Sequence, residues 1–142
     1  MRVKLPLVLI AVFALLGPVV PSFAHHGWGV EYDITKCTDL KGTLTGVVWE
    51  NPHAYVDMEV TDADGKVVKW HLEMVTPNAL KRTGTTRLDF VSNFGKTINV
   101  RACAARSDAE EQQHRGSASY LALSDGLIRL VGGGDRKSDA HF

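Results

Sequence analysis

Between Ala54 and Met74 the chain alternates apolar and polar residues at a period of two, interrupted once by Ala63-Asp64-Gly65. That pattern predicts two strands, Ala54 to Asp62 and Lys66 to Met74, joined by a three-residue loop with Gly65 in the left-handed conformation. The loop sets the register. Val60 then faces Val68, Met58 faces Trp70 and Val56 faces Leu72 on a wholly apolar side, while Glu59 meets Lys69, Asp57 meets His71 and Tyr55 meets Glu73 on the other. A register that pairs apolar with apolar and acid with base is self-consistent on both faces.

Upstream, Asp39 to Trp49 reads as a long strand with Leu40, Leu44 and Val48 on one face, Thr43 and Thr45 on the other, and Gly42 and Gly46 allowing it to bend. Before it, His25 to Lys36 has no sustained period and predicts an extended arm. After the hairpin, Thr76-Pro77-Asn78-Ala79-Leu80-Lys81-Arg82 carries a capping Thr, Pro at the first helical position and two basic residues before Gly84, which predicts a short helix. Leu88, Phe90, Val91 and Phe94 are expected to pack beneath the sheet. Lys96 to Arg106 alternates Ile98, Val100, Ala102 and Ala104 against Asn99, Arg101 and Cys103 and predicts a fourth strand. Ser107 to Gly116 reads as a polar loop, and Ser119 to Ser124 with Leu127 to Val131 as a last hairpin, Leu121 and Leu123 pairing Leu130 and Ile128. The order is three strands, a short helix, then two more, the first strand long and bent. This is the order of an all-β, five-stranded oligonucleotide/oligosaccharide-binding (OB) barrel of Greek-key type.

Composition and targeting narrow the setting. Arg2 and Lys4 precede an apolar run from Leu5 to Leu16, broken by Gly17-Pro18 ahead of Ser22-Phe23-Ala24, so residues 1–24 read as a signal peptide cut after Ala24. The apolar run is short for a membrane span, so the product is expected to be periplasmic or secreted, without a stable membrane anchor. Residues 25–131 form the barrel domain, and the glycine-led, polar stretch 132–142 reads as a disordered tail. Removing Arg2 and Lys4 lowers Lys+Arg from 16 to 14 against 16 Asp+Glu, a formal charge of −2, which leaves no electrostatic footprint for nucleic acid. Cys37 and Cys103 are the only cysteines and lack metal-binding spacing, so they predict a disulfide in an oxidising compartment. In an OB barrel strand one lies antiparallel to strand four, which brings these two positions together.

Candidate chemistry gathers where the first two strands meet. In Trp49-Glu50-Asn51-Pro52-His53-Ala54-Tyr55 the proline stiffens the bend and aims the imidazole after it. Cleavage after Ala24 would leave His25 with a free α-amine, which together with its ring is a nitrogen chelate suited to copper or zinc. His26 and His53 are the further imidazoles, and Glu73 is placed by the hairpin register near His53, as a metal ligand, as a carboxylate that orients the ring, or as its plain hydrogen-bond partner. His71 reads as the structural partner of Asp57, and His114 and His141 as solvated. Trp49, Asn51 and Tyr55 are ligand-binding candidates, with Trp28 beside Trp49 and Tyr55 as an aromatic platform. No nucleophile elbow, zinc-protease helix, phosphate-binding glycine loop or haem attachment motif is present, and no general base or nucleophile marks the chain as an enzyme.

The mature His-His start, the K-G-T-L-T strand, W-E-N-P-H-A-Y, W-H-L-E-M and T-P-N-A-L-K-R together resemble a family of small exported bacterial proteins known only as a domain of unknown function. The resemblance runs over residues 25 to 131. The family's recurrent positions correspond to His25, His26, Trp49, Asn51, Pro52, His53, Trp70, Glu73, Pro77, Asn78 and Leu80, whereas Cys37, Cys103 and the stretch Glu110 to His114 depart from its usual pattern. The resemblance implies export and a β-barrel and brings no established activity. The sequence is therefore read as an exported binding module for copper or zinc, or as an adaptor that contacts a periplasmic protein or small ligand through the loop between strands one and two.

Overall fold

The computed structural model describes residues 28–106, 113–133 and 140–142. The expected signal peptide, His25 and His26 lie outside the described residues. The elements are α1 (Trp28–Glu31), β1 (Tyr32–Val48), β2 (Tyr55–Thr61), β3 (Val67–Glu73), α2 (Pro77–Arg82), α3 (Arg87–Val91), β4 (Thr97–Ala105), β5 (Gln113–Ala122) and β6 (Ile128–Leu130). The sheet order is β3-β2-β1-β4-β5-β6, and an additional β3–β5 pairing closes the first five strands into a barrel with β6 on its edge.

The hairpin register is the one the alternation predicts: Val56 pairs with Leu72, Met58 with Trp70, Val60 with Val68, Asp57 with His71 and Tyr55 with Glu73. Gly65 takes φ 79°, a value that glycine adopts without steric cost. The core it feeds includes Leu40, Leu44, Val56, Met58, Leu72, Met74, Leu80, Phe90, Ile98, Val100 and Leu121. The α2 helix begins as read, with the Thr76 hydroxyl accepting from the Ala79 amide.

The disulfide forms between Cys37 and Cys103, which are register partners on antiparallel β1 and β4. A covalent link of this kind is what an oxidising, exported compartment supports. No helix among the described residues is long and apolar enough to cross a membrane.

Several expectations change. The arm before the first strand is not wholly extended: Trp28–Glu31 makes one helical turn and β1 starts at Tyr32. A bulge between Leu44 and Gly46 adds one residue and reverses the facing of the rest of the strand. Val47 therefore packs on the core, and Val48, expected beside Leu40 and Leu44, is exposed. Gly42 is required where β2 crosses, because a Cβ there would collide with the Glu59 carbonyl oxygen. Strand five begins at Gln113, inside the stretch expected to be loop, and its first half runs parallel to β3, pairing Leu72 with Gly116 and Glu73 with Ser117. His114, expected to be simply solvated, stacks on Trp70 at this seam with ring centroids 4.9 Å apart. The last hairpin slips by one residue: Leu121 faces Arg129 and Tyr120 faces Leu130, because Leu121 and Leu123 turn into the core while Leu130 stays exposed. Beyond β6, Gly132 is buried and its amide donates to Ser119 O, and the His141 amide donates to Asp39 Oδ2.

Below the barrel only Phe90 is fully buried among the four residues expected to pack there; Leu88 and Phe94 are 72% and 43% exposed. The α3 helix is too short to bury more than one side of itself. It starts at a carboxylate: Asp89 Oδ2 accepts from the Thr86 amide and hydroxyl at 2.6 and 2.7 Å. Those hydrogen bonds favour the ionised form and hold Asp89 below the ordinary aspartate range. The contribution to stability is thus present above that ordinary range and is lost as pH falls through the lowered folded value. Urea midpoints of the wild-type domain and Asp89→Asn should differ at neutral pH and converge in acid; a gap that persists unchanged in acid would mean the capping carboxylate is not its source.

Candidate functional site

The loop between β1 and β2 is held by the far end of the hairpin. The Ala54 amide donates to Val75 O and the Met74 amide to Ala54 O, so the β2–β3 ladder continues one step beyond Tyr55 and Glu73. Asn51 and Pro52, joined by a cis peptide bond, form an exposed tip, and His53 comes next, beside β3. Its Nδ1 lies 3.0 Å from Glu73 Oε1 and 3.3 Å from Met74 O. Both neighbours are acceptors, so the arrangement places a proton on Nδ1.

Glu73 is a carboxylate at 7% exposure. A charge this buried must be hydrogen-bonded to persist, and its second oxygen, Oε2, accepts from the Tyr32 hydroxyl at 2.6 Å. Burial, then the bond to Glu73 and the Glu73 charge, push the Tyr32 phenol far above the ordinary tyrosine range. Burial and the same carboxylate raise Tyr55. Next to this cluster the buried Ser117 hydroxyl has no hydrogen-bond partner among the described residues, and the register sets it opposite both Glu73 and Cys103.

Of the residues singled out in the sequence, the fold brings together His53, Glu73 and Tyr55. It gives Trp49 a different setting. Trp49 is half-buried and packs on Phe90 with ring centroids 5.8 Å apart. Tyr55 instead stacks on His71, at 4.6 Å and 8° between planes. His71 has the structural partner expected of it, with Nδ1 2.6 Å from Asp57 Oδ1. Among the described residues no group of three or more His, Cys, Asp or Glu is placed to hold a metal ion. The residue that sequence reasoning missed is Tyr32. It is the first residue of β1, separated from Cys37 by residues that leave the β1–β4 ladder, and no local period marks it.

A family model matches residues 14–114, well over half of the chain. The chain belongs to DUF6152, a family of unknown function. No curated protein and no solved structure gives a match. The matched span of this DUF6152 chain includes β1 to β4, the loop carrying His53, and Glu73 and Tyr32.

Proposed function

We propose that this DUF6152 protein is an exported binding module, periplasmic in setting, whose ligand is copper or zinc held by His53 together with the N-terminal His25 and His26. The observation that carries this is the pairing of His53 Nδ1 with Glu73 Oε1 at 3.0 Å. Metal-ligating histidines characteristically give their other ring N–H to a carboxylate or carbonyl, which fixes tautomer and orientation, and here both kinds of acceptor face the same nitrogen. Further donors must come from beyond the described residues. His25 and His26 offer two imidazoles and, after cleavage at Ala24, an α-amine. Such nitrogen donors suit copper and zinc, with copper favoured by the general affinity order.

The test is a titration of copper(II) and of zinc(II) into protein beginning at His25, into His53→Ala, and into a variant with one extra residue before His25. Both changes should weaken binding by about tenfold or more, equivalent to about 1.4 kcal/mol. Affinity should fall with pH, because amine and imidazoles must lose protons to bind. Equal affinity in all three proteins would sink the metal reading. The exposed Asn51-Pro52 tip would then favour an adaptor that contacts a protein or small ligand through this loop.

A further inference from the structure

We infer that Glu73 is a positioning residue and not a ligand: clamped by Tyr32, it holds His53 in the Nδ1–H form, so that Nε2 is the atom offered to a metal. This deepens the proposed function and rests on His53 being the binding imidazole. Both carboxylate oxygens are engaged inside the protein. Oε2 accepts the Tyr32 hydroxyl at 2.6 Å and Oε1 lies 3.0 Å from His53 Nδ1; with the group 7% exposed, turning an oxygen toward an ion would break one of these two contacts. The clamp also crosses the chain. Tyr32 comes from the first residue of β1, Glu73 from the end of β3 and His53 from the loop after β1, so three separate segments are locked at one point, and Tyr32 is itself 2% exposed.

The isolated histidine side chain prefers the Nε2–H form, so the tautomer is a direct readout of the clamp and needs no metal. Nitrogen-15 shifts of the His53 ring in the metal-free protein, measured where the ring is neutral, should show Nδ1 protonated. Glu73→Leu should lower the Nδ1–H share. Glu73→Met, which keeps the side-chain length without a carbonyl acceptor should the leucine variant fail to fold, should lower it as well, and Tyr32→Phe should do so to a smaller extent. Copper or zinc affinity should fall by about 10- to 100-fold in the Glu73 variants, the usual effect of removing a partner behind a metal ligand. A wild-type ring protonated on Nε2 would overturn the inference. So would an unchanged Nδ1–H share in Glu73→Met, since the Met74 carbonyl at 3.3 Å would then be setting the tautomer. An Nδ1–H ring in a protein that binds neither ion would leave the clamp standing and remove the metal reading instead.

Discussion

Replacing the disulfide by Cys37→Ala/Cys103→Ala should lower the stability of the folded domain by about 4 kcal/mol, the chain-entropy estimate for cross-linking a loop of this length. The two cysteines are 66 residues apart in sequence and directly opposite in the β1–β4 register. The loop they close contains β2, β3, α2 and α3, so the unfolded chain loses much freedom when it is cross-linked. Cys103 is fully buried, and alanine leaves no unpaired polar atom in its place. The ladder on either side differs: Cys37 to Thr43 pair continuously with β4, whereas the residues between Tyr32 and Cys37 do not. The bridge therefore sits at the point where continuous pairing ends. Urea unfolding of oxidised wild-type protein and the double variant measures the difference, and reduced wild-type protein should match the variant. A loss below about 1 kcal/mol would show that the strands keep this register unaided and that the unfolded chain is already compact near the bridge.

Phe90→Ala should cost about 3–5 kcal/mol, the range for truncating a fully buried aromatic side chain. Phe90 comes from α3, a helix of five residues, and its ring has 0% exposure. It packs on Trp49 and belongs to the same buried cluster as Leu44, Met74 and Leu80. That places it across the end of the barrel where β1 finishes and α2 begins. An alanine there leaves a cavity that the surrounding strands, tied into closed ladders, can shrink only in part. Leu88 lies two residues earlier on the same helix and is 72% exposed; Leu88→Ala should change stability by no more than about 0.5 kcal/mol. Comparable losses from the two variants in thermal or urea unfolding would mean that α3 packs through a different face.

Around His53 the same division between local and distant information decides what could be foreseen. The pairing of Glu73 with Tyr55 comes from the turn at Gly65 and the alternation of two short strands, so its nearness to His53 could be read directly. The hydroxyl that engages Glu73 could not. Tyr32 reaches it only because β1 starts earlier than its alternation suggests and because the segment up to Cys37 leaves the ladder.

Elements whose partners lie close in sequence were legible from the amino acids alone: the hairpin and its register, the α2 cap at Thr76 and the bend at Pro52 that presents His53. In each the deciding contacts are local, so periodicity and turn chemistry suffice. The remaining features depend on how distant segments meet. The bulge at Leu44/Gly46 turned Val47 inward and Val48 outward, since one added residue reverses a period of two. Closure against β3 drew residues from Gln113 onward, polar and without alternation, into a parallel ladder whose backbone bonds do not depend on side-chain pattern. Burial under the arm, in turn, made Glu73 a carboxylate that must be held by Tyr32 and His53, because a charge removed from water persists only where hydrogen bonds replace it.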